Sequence, residues 1–380
     1  MTRQLNYGGI YVHIPFCESK CPYCDFLSFP GYYQVIDAYL QALEAEMDYI
    51  SANLQRECVF DTIYFGGGTP SLLSPPQLER ILAKIHRCFE IKGDLEVTLE
   101  ANPCSLSLDK LQGYKQLGVN RLSLGVQSLN AGELRTLGRL HDADAARETY
   151  LRAQNVGFSN ISVDLIFGIP GQSLANWHDT LEEITNWAPP HISTYCLTVE
   201  PQTPLGELVA SGRVVMPTDS LQARMYTHTI AFLKTRGYDH YEISNFTRHQ
   251  PCRHNLHYWR NDWYLGFGLG AHSHFGHARF ANEGSLHDYL PKYTRTQPGV
   301  YRTYHSPYVV MQETMFMGLR LLEGVSVPRF RERFNRLPIE VFHEELEYLE
   351  QAGLVDCSCD RIKLTPKGVM FGNQAFVEFV

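Results

Sequence analysis

The sequence has no run of 18 apolar residues, so no stretch of it reads as a membrane-spanning helix. Its opening residues, Met1-Thr2-Arg3-Gln4-Leu5-Asn6-Tyr7, lack the apolar core of a secretory signal. Both absences make the cytoplasm the expected compartment. Positive charge is also scarce: 33 Lys and Arg stand against 41 Asp and Glu, a formal net charge of −8. That balance disfavours a general affinity for nucleic acid, whose phosphates call for a basic surface. The apolar and charged fractions, 44% and 19%, are ordinary for a soluble globular chain, and 380 residues suffice for one large domain and a smaller one.

Cysteine, by contrast, is plentiful, with ten residues. In a long chain without a secretory signal, metal and thiol roles are expected before disulfides. Three of the ten stand at i, i+4 and i+7 in Cys17-Glu18-Ser19-Lys20-Cys21-Pro22-Tyr23-Cys24, just after an apolar run over 9–14. Thiolates so spaced can converge on one metal centre, but they are three. A structural zinc site closes with four ligands, and a [4Fe–4S] cluster normally takes four cysteines. Two readings stay open here: a cluster with one iron not held by the protein, or a zinc site completed by His13 or a distant cysteine. Cys58, Cys88, Cys104, Cys196 and Cys252 are scattered and most of them read as small core residues, and the Cys357/Cys359 pair offers too few ligands for a second metal site.

Short apolar runs bounded by Gly or Pro predict strands over 9–14, 62–65, 96–99, 121–126, 161–167 and 191–199. Amphipathic segments between them predict helices over 35–54, 77–89, 108–117, 142–155 and 174–187, the second opened by the cap Ser74-Pro75-Pro76. Six β/α units predict an α/β fold, either an open sheet or an incomplete barrel. The polar residues favour the barrel, where functional groups gather at the C-terminal ends of strands. The first strand leads into the cysteine loop and the second ends in Gly66-Gly67-Gly68-Thr69-Pro70. The third ends in Glu100-Ala101-Asn102-Pro103 and the fourth in Gln127-Ser128. The fifth carries Asp164 and ends in Gly168-Ile169-Pro170-Gly171, and the sixth ends in Glu200-Pro201. Such endings in register predict one ring of groups round one mouth. Arg139, in Leu137-Gly138-Arg139-Leu140-His141, offers a planar fork to a ligand carboxylate.

Together these residues resemble the radical S-adenosylmethionine (SAM) superfamily, and within it the coproporphyrinogen dehydrogenase-like branch. The resemblance runs through Tyr11-Val12-His13-Ile14-Pro15-Phe16-Cys17, the cysteine loop, the 66–70 glycine loop and Glu100. It continues through Arg121-Leu122-Ser123-Leu124-Gly125-Val126-Gln127-Ser128, Gly138-Arg139 and Asp164-Leu165-Ile166-Phe167-Gly168-Ile169-Pro170-Gly171. It implies an incomplete (β/α)6 TIM-like barrel, with a [4Fe–4S] cluster held by Cys17, Cys21 and Cys24. It also implies SAM contacts at Tyr11, Tyr23, Gly67, Gly68, Thr69, Glu100, Gln127, Arg139 and Asp164, with reductive cleavage of SAM to a 5′-deoxyadenosyl radical.

Within the branch, the dehydrogenase pattern is C-x-x-x-C-x-x-C-x-C after a longer N-terminal segment. Here Phe26 stands at the last cysteine, and 16 residues precede Cys17. The stretch 249–277 is rich in His and aromatics, and His254-Asn255-Leu256-His257-Tyr258-Trp259 resembles the H-N-x-x-Y-W signature of the branch's heme chaperones. The resemblance therefore implies heme as a further ligand, with His254 as the candidate axial ligand and the aromatics flanking the macrocycle. It implies delivery of heme to respiratory acceptor proteins in the membrane, and it allows peripheral membrane contact and a homodimer. The alternatives are an oxygen-independent coproporphyrinogen III dehydrogenase and, against the charge balance, a radical SAM enzyme acting on RNA.

Three parts are expected: a radical SAM partial barrel over 1–240, a barrel-closing and heme-binding segment over 241–306, and a winged-helix-like α+β domain over 307–380. In the second part, 241–246 reads as a strand and the Gly-rich 266–273 as a flexible loop. In the third, helices are expected over 309–322, 328–334 and 339–352, then a hairpin over 354–364. Seven Lys and Arg against nine Asp and Glu over 325–380 disfavour DNA binding and point to a lid or a partner-docking surface.

Overall fold

The computed structural model describes residues 7–54, 58–293, 300 and 302–380. Residues 1–6, weighed above as a signal, and residues 294–299 and 301 of the 241–306 segment lie outside that description. Strands and helices alternate in the expected order: β1 (Tyr7–Ile14), α1 (Ile36–Ala52), β2 (Val59–Gly67), α2 (Pro75–Cys88), β3 (Ile91–Ala101), α3 (Leu108–Gln116), β4 (Arg121–Gln127), α4 (Ala143–Asn155), β5 (Asn160–Phe167), α5 (Leu174–Asn186) and β6 (His191–Cys196). The six strands pair in parallel, each with the next. Local chemistry sets the boundaries. Ser74 and Gln77 form a capping box at the start of α2, with the Ser74 N–H donating to Gln77 Oε1 at 2.9 Å. Leu78, Ile81, Leu82 and Ile85 then make the buried stripe that holds α2 on the sheet.

Three expectations are corrected. β6 ends at Cys196, because the chain leaves the sheet to line a cavity. After α6 (Asp219–Thr235), the expected strand over 241–246 is a hairpin of β7 (Asp239–Glu242) and β8 (Asn245–Thr247). After α7 (Arg253–Trp259), the segment expected as a Gly-rich loop begins as β9 (Trp263–Phe267), which pairs in parallel with β1 as a seventh parallel strand. The chain then returns antiparallel as β10 (His272–Phe275), β11 (Ala278–Ala281) and β12 (Arg302–Tyr304). The sheet order is β12-β11-β10-β9-β1-β2-β3-β4-β5-β6-β8-β7.

Strand alternation divides the molecule chemically. Ile63 and Phe65 of β2, Val97 and Leu99 of β3, and Leu122 and Leu124 of β4 join the apolar core under the helices. The intervening positions, among them Thr62, Tyr64, Glu96, Glu100 and Ser123, hydrogen-bond to one another's partners inside the partial barrel. The inner face is therefore polar.

From residue 307 the chain forms α8 (Pro307–Gly318), β13 (Val325–Ser326), α9 (Val327–Phe334), β14 (Val355–Cys357) and β15 (Arg361–Leu364), with an antiparallel sheet ordered β13-β15-β14. The helix expected over 339–352 is two helices, Pro338–Val341 and His343–Gln351. Phe342 breaks them, leaving helical backbone to bury its ring beside Phe330 and Leu346 in a second core. No helix of the described residues is long and apolar enough to cross a membrane.

Candidate functional site

A cavity of about 540 Å³ opens where the parallel strands end, and Cys17, Cys21 and Cys24 all line it. So do Tyr23, Gly67, Gly68, Thr69, Glu100, Gln127, Arg139 and Asp164. The cysteine loop is pinned at its root by the short parallel pairing of Phe16–Cys17 with Phe29–Pro30, and inside by a turn in which the Cys24 N–H donates to the Cys21 carbonyl at 3.1 Å. All three thiols are free. Cys17 Sγ accepts from the Thr69 hydroxyl and Cys21 Sγ from the Arg139 guanidinium, each at 3.6 Å. Burial pushes the Cys24 thiol up, against a hydrogen bond from Phe26, and the neighbouring Cys21 and Cys17 add to the rise. Among the described residues no group of three or more His, Cys, Asp or Glu side chains closes on a single ion. His13, weighed above as a fourth ligand, engages both ring nitrogens elsewhere, with the Tyr11 hydroxyl at 3.0 Å and the Leu27 carbonyl at 2.8 Å.

The glycines after β2 seat that loop. Gly67 has φ of 114°, and a Cβ there would lie 2.4 Å from the His13 ring. A Cβ on Gly68 would lie 2.7 Å from the Phe16 carbonyl and 3.0 Å from Cys17 Sγ. Only residues without a side chain allow this approach. The Gly68 and Thr69 N–H groups then donate to Ile14 and Phe16 carbonyls at 2.9 and 2.8 Å.

Two carboxyls face the cavity. Glu100 accepts from the Tyr64 hydroxyl at 2.8 Å and the Gly67 N–H at 3.1 Å. Burial pushes Glu100 up to about 7; Tyr64, Gly67 and the Arg121 charge oppose it, and Asp164 adds to it. Burial also raises Asp164, against the hydroxyls of Ser123 and Ser162 at 2.6 and 2.9 Å. Arg139 is fixed by the Asn102 amide oxygen and by the Gly125 carbonyl at 2.9 Å. Gln127 ends β4 in the left-handed region, with φ of 68°, a strained conformation of the kind that collects at binding sites.

Two sequence-predicted residues stand apart from this cavity's lining. Tyr11 lies behind it, bonded to His13 and stacked on Tyr64. His254 is buried inside the barrel on α7, 1% exposed. Its Nδ1 pairs with the Thr62 hydroxyl at 2.8 Å and its Nε2 with the Tyr258 hydroxyl at 2.9 Å. Its ring stacks on Tyr64, with centroids 5.1 Å apart. Burial, then the charges of His257 and Arg121, hold it well below the usual imidazole range, so it is neutral. Thr62 precedes Gly67 by five residues of β2, and Tyr64, which lines the cavity, stands between His254 and that space.

Comparison with known proteins gives this arrangement a lineage. A Radical SAM superfamily model matches residues 11–184 and a HemN C-terminal domain model matches residues 306–371. The heme chaperone HemW of Bacillus subtilis is 39% identical over 374 residues, covering 97% of this chain and 98% of that one. The chain belongs to the HemN/HemW-like family of the radical SAM superfamily. Heme chaperone HemW of Synechocystis is 38% identical over 391 residues, covering 96% of this chain and 94% of that one. The solved structure of coproporphyrinogen III oxidase (HemN) from Escherichia coli, a radical SAM enzyme, superposes with a TM-score of 0.85 at 24% identity, covering 99% of this chain and 90% of that one. That likeness shows the fold.

Sequence reasoning missed the residues that hold this HemN/HemW-like frame together from inside. Glu96 caps α7, accepting from the His254 N–H at 3.1 Å and the Arg253 N–H at 3.2 Å. Cys252, the N-cap residue, makes no side-chain cap bond of its own. Asp61 pairs with Arg253 at 2.9 Å and His257 at 2.7 Å. The available signal was a carboxylate beside each of the apolar runs 62–65 and 97–99, where a charge needs a partner.

Proposed function

We propose that this chain is a heme chaperone of radical SAM type, which binds heme, carries a [4Fe–4S] cluster with SAM, and delivers heme to respiratory acceptor proteins in the membrane. The observation that carries the reading is the likeness, along nearly the whole chain, to relatives named heme chaperone HemW. Two residues agree with it. Phe26, 62% exposed and on the cavity lining, stands where the dehydrogenase pattern has its additional cysteine. The H-N-x-x-Y-W stretch is intact on α7.

The residues of the cavity fit the implied cofactors. Cys17, Cys21 and Cys24 stand on one loop of the cavity lining and would hold the cluster, while Cys196, on the opposite strand end, pairs its thiol with Gln222. A cluster held there would supply the electron for reductive cleavage of SAM. Arg139 presents a guanidinium to the same space and suits a carboxylate. Glu100 and Asp164, both raised by burial, suit an ammonium or sulfonium that would draw them down. Thr69 and Arg139 orient the sulfurs of Cys17 and Cys21.

On the heme side, His254 is neutral, as an iron ligand must be. Both its nitrogens are engaged, so ligation through Nε2 requires Tyr258 to give up its hydrogen bond. Heme uptake through this residue therefore entails a local movement of α7. The test is anaerobic reconstitution with iron and sulfide, then titration with heme, beside an assay for porphyrinogen decarboxylation with SAM and a reductant. Saturable binding near one heme per chain without decarboxylation is expected. Robust protoporphyrinogen formation would replace this reading with the dehydrogenase.

A further inference from the structure

Trp259, the last residue of the H-N-x-x-Y-W stretch, faces away from the cysteine cavity and lines a second opening, between α7 and the C-terminal residues. This crevice has a volume of about 50 Å³ and is lined by four arginines, Arg260, Arg329, Arg333 and Arg361. Their negative partners are fewer. Arg260 and Arg361 share Glu323, each at 3.3 Å. Arg329 pairs at 2.5 Å with Asp262, which His257 also engages at 3.2 Å. Arg333, half-buried, donates to the Asn261 carbonyl at 2.9 Å and forms no direct carboxylate pair among the described residues, although the Asp262 and Glu313 charges lie near it.

A second, independent observation points to a missing acceptor. The Trp259 indole Nε1–H is buried and has no hydrogen-bond partner among the described residues. Leaving a buried donor without an acceptor is unfavourable. Its ring is held by the Arg320 guanidinium, stacked 4.6 Å from the centroid. The crevice also takes in Ser326, the N-cap of α9, whose hydroxyl accepts from the Arg329 N–H. An anion there would meet four guanidinium groups against the two carboxylates of Glu323 and Asp262, beside the Trp259 ring. The volume sets its size: a space of this order admits a carboxylate and excludes a macrocycle.

We propose that this crevice takes the carboxylate of a heme propionate, anchoring the porphyrin by one arm between α7 and the C-terminal residues through Arg260, Arg333 and Arg361. The proposal rests on the heme-chaperone reading and gives it an anchoring site separate from the iron ligand. Bidentate guanidinium–carboxylate pairing supplies both affinity and orientation.

The experiment compares heme with its dimethyl ester, which keeps iron and ring and lacks both carboxylates. Each is titrated into the reconstituted full-length protein and into the double variant Arg260→Gln/Arg361→Gln. Both arginines are 40% exposed by side chain and their ion pairs are with Glu323, so the variant should fold; far-UV circular dichroism and a urea midpoint check it. The wild type should bind heme about tenfold or more tighter than the ester, and the double variant should lose that preference. Trp259→Phe, which keeps a ring and removes the N–H, should weaken heme binding by a smaller factor. Equal binding of heme and ester by the wild type overturns the proposal and leaves the heme chaperone standing, and this comparison needs no variant. Saturable binding of neither removes both.

Discussion

At the end of the barrel marked by Gly67 and Glu100, the loop thiols of Cys17, Cys21 and Cys24 face a cavity of about 540 Å³ that Cys196 also lines. Roughly five strand residues below, His254 is buried with both ring nitrogens bonded and its ring stacked on Tyr64. The first group lines an open cavity, whereas His254 is 1% exposed. Both are built on the same strands. Tyr64 belongs to both, lining the cavity, bonding Glu100 and stacking on His254. The difference teaches that one polar barrel interior can leave some side chains open to a cavity while pairing others fully inside. A ligand for the closed end must repay the hydrogen bonds it displaces.

The comparison is broken most severely at the cysteines. Replacing Cys17, Cys21 and Cys24 together by Ser should drop the iron content of reconstituted protein from about four per chain to near zero. Iron retained at wild-type level would mean that the cluster sits elsewhere. Next in size is Gly67→Val. The left-handed backbone and the His13 contact should cost about 1–3 kcal/mol and lower cluster yield, read from urea midpoints and iron content. An unchanged midpoint would show that the glycine loop is not constrained as described.

The closed end has its own titration. Burial disfavours a charged His257, but Asp262 and Asp61 outweigh it and lift the residue to about 9 from 6.5. A raised folded-state value stabilises fully below about 6.5, and the benefit is lost as pH rises through 9. It should be on the order of 2–3 kcal/mol, shared by the coupled trio. His257→Gln should flatten stability between pH 6 and 10, and an unaltered profile would contradict the pairing. At the open end the smallest effect is expected. Glu100 is raised to about 7, so ionising it destabilises the fold as pH rises through that value. Without ligand, Glu100→Gln should change stability by about 1 kcal/mol or less at pH 6 and be mildly stabilising at pH 8, while weakening SAM binding in equilibrium dialysis. Undiminished SAM binding would remove Glu100 from that site.

Much of the open end was legible in the sequence, because strand ends carry their chemistry in short contiguous motifs. The cysteine loop, Gly67, Gly68, Thr69, Glu100, Gln127, Arg139 and Asp164 all reach the cavity. The closed end was not. A motif such as H-N-x-x-Y-W names residue types and says nothing of burial, so the Thr62 and Tyr258 bonds of His254 were invisible. β9 was hidden because Gly266 and Gly268 read as loop, although β9 packs beside β1. Tyr11 fell behind the cavity because strand pleating turned it towards His13.

The central claim is that one chain carries a cluster site and a separate heme site at two ends of one barrel. The direct test is an anaerobic heme titration, read by Soret absorption, of wild type, the triple cysteine variant and His254→Ala, each with its iron counted. The account predicts that the cysteine variant loses iron and still binds heme, whereas His254→Ala keeps iron and binds heme at least tenfold more weakly. Heme binding that vanishes with the cysteines and is indifferent to His254 would contradict it.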